Sequence, residues 1–203
     1  PEGIEVFYET GARELILDND GRITGVKAIG RGNKTVEFRA RNVILASGGY
    51  QGNQEMLSHY VGPQAQFIRP VSRGGHYNRG EGVRMALSVG AASCGDFSSF
   101  HAQPVDPRSN DIEPVVLNYS YGILVNDAGW RFTDEAPGMV DATYEEVARL
   151  IMAQRHGIAF AVFDAKLDDV ENWPVTVRSR VPPLEAKSLP GLASAMGVDK
   201  RDF

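Results

Sequence analysis

Short apolar runs broken by Gly, Asn and Asp open the chain. Ile4–Tyr8 and Ala12–Asp18 are rich in β-formers, and Asn19-Asp20-Gly21 supplies the turn into Ile23–Ile29. Arg31-Gly32-Asn33 turns the chain again and Thr35–Phe38 returns, which predicts a meander of short strands. The next apolar run, residues 43–46, reads as a buried strand feeding Ser47-Gly48-Gly49. The period then becomes helical. Met56, Leu57 and Tyr60 give Asn53–Val61 one apolar face, and Val83, Ala86, Leu87, Gly90 and Ala91 do the same further on. Residues 95–126 read as irregular or extended, and Asp127-Ala128-Gly129 as a tight turn between Ile123–Asn126 and Trp130-Arg131-Phe132. Thr143-x-x-Glu146 has the spacing of a capping box, predicting a helix to about Gln154 with Tyr144, Val147, Ala148 and Ile151 on one face. Ile158–Phe163 reads as another buried strand. The remainder reads as loop, with prolines at 174, 182, 183 and 190, and Val198–Phe203 as the start of a helix.

Composition narrows the classes. The 203 residues are 42% hydrophobic and 23% charged, close to the average for globular domains, and suffice for a real core. A net charge of -5 with no offsetting basic stretch argues against a nucleic-acid partner. No apolar run approaches the roughly 20 residues that span a bilayer. A single cysteine, Cys94, excludes an internal disulfide, fits a reducing compartment and reads as a small buried residue. Cytoplasmic is the expected location.

Candidate chemistry begins at NVILASGGYQGN, residues 42–53, where a strand ends in small residues and two glycines and so admits a backbone or a flat ligand closely. Residues 73–101 follow with RGGHYNRGEGVRMALSVGAASCGDFSSFH, and residues 122–135 with GILVNDAGWRFTDE. Together these resemble the FAD-dependent fumarate reductase/succinate dehydrogenase flavoprotein superfamily. The resemblance implies that Ala46, Ser47, Gly48 and Gly49 lie against the FAD, with Ser47 where the superfamily usually has Thr. It implies that Glu81, replacing an Asp, helps to hold the cofactor, and that His101 binds substrate although Ala102-Gln103 replaces Pro-Thr. The hairpin Gly-x-Leu-x-Asn-x-x-Gly-x-Arg-Phe-x-x-Glu is the most specific match, and Thr143–Asp164 matches a helix and strand of the substrate-capping domain.

Arg73-Gly74, Tyr77-Asn78-x-Gly80, Tyr121-Gly122-Ile123, Phe132-x-Asp134-Glu135 and Thr143-Tyr144 resemble the tricarballylate dehydrogenase branch. That branch oxidises tricarballylate to cis-aconitate by hydride transfer to flavin, and a membrane-bound iron–sulfur/haem protein reoxidises the flavin. The resemblance therefore implies a small polycarboxylate substrate and a location at most peripheral to the membrane. Such a substrate needs charged clamps, because only charged donors compensate carboxylate desolvation. His101, Arg73 and Arg79 are the substrate-binding candidates, within a basic cluster that also holds Arg69, His76 and Arg84. The place of the superfamily's proton-transferring Arg falls at Met139-Val140, so the catalytic residue is unknown, with His101, Tyr144, Arg73 and Arg79 as candidates and none favoured.

No Gly-x-Gly-x-x-Gly turn occurs anywhere in the sequence, although a dinucleotide's pyrophosphate needs one. The expectation is an α+β internal fragment: residues 1–97 a β-rich part of an FAD-binding domain, residues 98–203 a truncated capping domain, inactive alone. The alternatives are a fumarate reductase-like or 3-ketosteroid dehydrogenase-like flavoenzyme, or a non-catalytic, self-associating interaction module derived from the cap. Each candidate also has a structural reading. Gly48-Gly49 serves equally as a strand-to-helix turn. Glu81 complements a helix dipole. His101 could be a satisfied core histidine, and Arg131 is expected to pair with Asp134 or Glu135.

Overall fold

The computed structural model describes residues 3–199 and residue 203. The chain divides into two compact units, one built from residues up to Leu57 with Gly74–Asp96, the other from Ser58–Arg73 with residue 97 onward.

The first unit is organised by the meander. Strands β1 (Gly11–Leu17), β2 (Ile23–Gly30) and β3 (Lys34–Arg39) form an antiparallel sheet in the order β1-β2-β3, with Leu15 opposite Val26 and Val26 opposite Phe38. Asp18 closes the first turn, its Oδ1 accepting the backbone N–H of Asp20 and of Arg22, both at 2.9 Å. Two expected strands differ. Ile4–Tyr8 joins no sheet, and residues 43–46 are extended but unpaired, with Ile44 89% exposed rather than buried. A strand buried on both faces needs neighbours on both edges, and none of the described strands pairs with this one. Helix α1 (Gln54–Val61) begins at Asn53, whose Oδ1 accepts from the N–H of Glu55 and of Met56 at 3.1 and 3.3 Å. Helix α2 (Glu81–Ser88) begins after Gly80, which holds the left-handed φ of 80°. Cys94 is exposed, not buried, because it follows the end of α2 in a segment without regular structure.

The second unit packs α3 (Val140–Met152) on the two-stranded antiparallel sheet of β4 (Ile123–Asn126) and β5 (Ala159–Val162). Tyr119, Leu124 and Val147 form the buried centre, flanked by Leu117, Phe132, Val140, Tyr144 and Ile151. The expected strand at Ile158–Phe163 is therefore real but half-buried, since its sheet has only one partner strand. The Asp127-Ala128-Gly129 turn forms as read: Asn126 Oδ1 accepts from the N–H of Ala128 and of Trp130 at 3.1 and 3.0 Å.

The capping box does not form. The N-cap of helix α3 is Met139, four residues before Thr143, and Thr143 lies inside the helix. There the Thr143 hydroxyl donates back to Met139 O at 3.3 Å and accepts from buried Tyr119 Oη at 3.3 Å, so it has no N-cap role left. A second difference is α4 (Leu189–Met196), in a segment expected to be loop. Its signals were present: Ser188 Oγ accepts the Gly191 N–H at 3.3 Å, Pro190 stands in the first turn and Gly197 closes the helix at φ 75°. Val198 and Asp199 follow that terminus, and most of the helix start expected at Val198–Phe203 lies outside the described residues.

Candidate functional site

In the first unit the exposed strap Ala46-Ser47-Gly48-Gly49 runs past the first turn of α2. Among the described residues, no backbone group from Asn42 to Gly48 is hydrogen-bonded. A Cβ on Gly82 would run into Ser47 Oγ, so only glycine lets the serine sit this close. Gly48 has φ 75°, and a Cβ there would lie 2.9 Å from Asn78 Nδ2. Below the strap, the Gly80 N–H donates to Gly49 O at 3.1 Å and the Gly52 N–H to Asn78 O at 2.8 Å, pinning it to the loop before α2. Asn53 Nδ2 donates to Arg79 O at 2.8 Å from the same side. The result is a depression of about 250 Å³ lined by Leu45, Ser47, Gly48, Gly82, Val83 and Ala86.

These residues fit a flavin. The surface is small-residue and part apolar, and its backbone groups at Leu45, Ser47 and Gly48 have no partner among the described residues, which leaves them open to the polar edge of a flat heterocycle. Glu81 sits half-buried in the first turn of α2, where its Oε2 accepts the Arg79 N–H at 3.2 Å. Arg79 itself is exposed. A wider cleft of about 670 Å³, lined by Asp18, Arg22, Arg39 and Arg41 among others, opens at the end of the sheet and contains none of the candidates.

The second unit holds the other group of candidates. His101 is 70% exposed in its side chain, which excludes a core histidine. Its Nε2 lies 2.9 Å from Tyr144 Oη and its Nδ1 3.0 Å from Glu145 Oε2. Arg149, one turn further along α3, donates from Nη2 to Glu145 Oε1 at 2.9 Å and to Phe100 O, and its guanidinium lies 4.7 Å from the Phe100 ring centroid. Hydrogen bonds from Arg149 and from His101 hold the Glu145 carboxyl below its ordinary range. Arg73 is exposed in this unit. The sequence brought out His101 and Tyr144 separately; Glu145 and Arg149 were missed, and their i, i+4 spacing on α3 was the available signal.

The position of the absent arginine is also resolved in chemistry. Val140 packs against the Tyr119–Leu124–Val147 centre and carries no proton to give, while Met139 is 77% exposed. Arg131 pairs with Glu135, not Asp134. Burial pushes the Glu135 carboxyl up, but the hydrogen bonds from Arg131 and from the Leu124 N–H outweigh it and hold the group below its ordinary range. This pair braces the β4 hairpin.

Comparison with known proteins gives four findings. The family described as FAD binding domain matches residues 1–173. L-aspartate oxidase of Caulobacter vibrioides (strain ATCC 19089 / CIP 103742 / CB 15) is 34% identical over 168 residues, 80% of this chain and 30% of that protein. NADH:fumarate oxidoreductase of Klebsiella pneumoniae (strain 342) is 24% identical over 163 residues, covering 80% of this chain and 16% of its own length. A solved open conformation of a flavocytochrome c3 fumarate reductase superposes with a TM-score of 0.68 at 22% identity, over 95% of this chain and 33% of that one. The chain thus spans less than a third of either curated relative.

Proposed function

The chain belongs to the FAD binding domain family, and from that premise we propose that it is the flavin-contacting and substrate-capping part of an FAD-dependent oxidoreductase acting on a carboxylic acid. Its relatives include proteins named NADH:fumarate oxidoreductase and L-aspartate oxidase, both oxidoreductases of small acids. In this reading the first unit supplies the flavin face through Ala46, Ser47, Gly48, Gly49 and Glu81. The second unit carries His101 and Arg73 as substrate-binding residues, and the first unit carries Arg79. FAD accepts or gives the hydride; the chain's own residues bind the acid, orient it and move the proton.

The observation that carries the reading is the Ser47–Gly82 approach, a glycine-dependent shelf with free backbone groups above it. Carboxylates are favoured as substrate because the exposed arginines Arg73 and Arg79 offer charged donors to an acid, while Glu145 already occupies Arg149. Within that class the finer reading is a tricarboxylate such as tricarballylate, supported by Tyr121-Gly122-Ile123 and Phe132-x-Asp134-Glu135. Dicarboxylates of the fumarate type are the competing substrates, supported by the relatives that carry such names. A membrane-bound iron–sulfur/haem acceptor and a cytoplasmic, peripheral location follow from the tricarballylate reading alone. No helix among the described residues is long and apolar enough to cross a membrane.

The test is anaerobic titration of the FAD-loaded parent enzyme. Bleaching of the oxidised flavin band by tricarballylate or succinate, and its return with cis-aconitate or fumarate, is the expected result. Bleaching by an apolar 3-ketosteroid with no response to any of the four acids would overturn the proposal.

A further inference from the structure

With a neutral His101 ring, the hydrogen bonds around it have one consistent direction. Glu145 is ionised, because Arg149 and His101 both hold it below the ordinary carboxylate range, and an ionised carboxylate can only accept. His101 Nδ1 at 3.0 Å must therefore carry a proton. In the neutral ring Nε2 is then the lone-pair nitrogen, and Tyr144 Oη at 2.9 Å is the group that donates to it. Arg149 fixes the arrangement from both sides, since it holds Glu145 Oε1 and also the carbonyl of Phe100, the residue preceding His101. Tyr144 lies on α3 one turn after Val140. Its ring packs on the core while its hydroxyl meets the exposed imidazole.

We propose that Tyr144, His101 and Glu145 form a proton relay, with Tyr144 Oη the catalytic acid–base and Glu145 the residue that positions His101 by fixing its tautomer. The relay rests on the function proposed above. In the oxidative direction the substrate's Cα–H bond breaks and its proton binds Tyr144 Oη. The tyrosine's own proton passes to His101 Nε2, leaving imidazolium beside carboxylate; the Cα electron pair forms the C=C bond as hydride departs from the β carbon, and a bound flavin would supply the hydride acceptor. Reduction runs the same transfers backwards. Glu145 stays ionised throughout.

Two measurements decide it. Nitrogen-15 NMR of the ring in this chain should show the Nδ1–H tautomer, changing to Nε2–H in Glu145→Leu and retained in Glu145→Asp. An Nε2–H tautomer in the unmutated chain overturns the relay. In the FAD-loaded parent, Tyr144→Phe keeps the packed ring and should lower kcat by roughly 10²–10⁴-fold with little change in KM. Glu145→Leu should give a smaller loss, restored in part by Glu145→Asp. Full turnover by Tyr144→Phe overturns the relay while leaving the function standing. Failure of the unmutated holoenzyme to turn over any carboxylic acid overturns the function and the relay with it.

Discussion

Arg131 grips Glu135 through three hydrogen bonds, Nε to Oε1 and Oε2 at 3.1 and 3.0 Å and Nη2 to Oε2 at 2.6 Å, while the Leu124 N–H donates to Oε1 at 2.7 Å. Glu135 is 3% exposed and Leu124 belongs to the buried centre. Replacing the carboxylate by Ala strands a buried backbone donor, which costs about 1–3 kcal/mol. Urea denaturation should show that loss for Glu135→Ala and a smaller one for Glu135→Gln, whose amide oxygen still accepts from Leu124. Equal losses for both variants would move the effect from the Leu124 bond to the ion pair.

The shelf in the first unit should show strong coupling between Ser47 and Gly82. Gly82→Ala places a methyl against Ser47 Oγ, and such overpacking costs about 1–3 kcal/mol. Ser47→Ala removes the obstructing oxygen, so the double variant should recover most of that loss. A double-mutant cycle in thermal unfolding checks this; additive effects would mean the strap simply moves aside.

Acid should destabilise the second unit through two carboxylates. Burial raises Asp106, but hydrogen bonds from Arg108 and Ser179 outweigh it and set it, like Glu135, below its ordinary value. A depressed folded-state pKa contributes stability that is present above the unfolded value, about 4, and lost as pH falls through the folded one. The urea midpoint should hold from neutral pH to about 5 and then fall steeply. Asp106→Asn with Glu135→Gln should be less stable at neutral pH and flatter in acid. A slope matching the unmutated chain would exclude these two groups as its source.

FAD titrated calorimetrically into this chain should give little or no heat at micromolar concentration. The sequence has no Gly-x-Gly-x-x-Gly turn to hold the pyrophosphate, and the depression by the strap is only about 250 Å³. Tight binding with a perturbed flavin spectrum would show that the shelf suffices without that turn.

The local elements were largely legible. The Asn19-Asp20-Gly21 turn and its flanking β-formers point to β1 and β2, while spacing leaves Arg131 a choice of Asp134 or Glu135 that only the fold decides for Glu135. Thr143 was misread because its hydroxyl has two competing uses. The spacing to Glu146 suggests a cap, but the back-bond to Met139 and the contact with Tyr119 exist only once α3 has packed.

What the sequence determined by itself is whatever lies within one turn or one hairpin: periodicity, Asx and glycine turns, the small residues of the strap, and the motifs that point to a flavin family. Tertiary structure alone decided that Ile44 is exposed, that Val140 belongs to the core, and that His101 meets Tyr144 and Glu145 from more than 40 residues away. Burial and tautomer are properties of neighbours, and a residue's neighbours at that range are set by how α3 packs on the β4–β5 sheet.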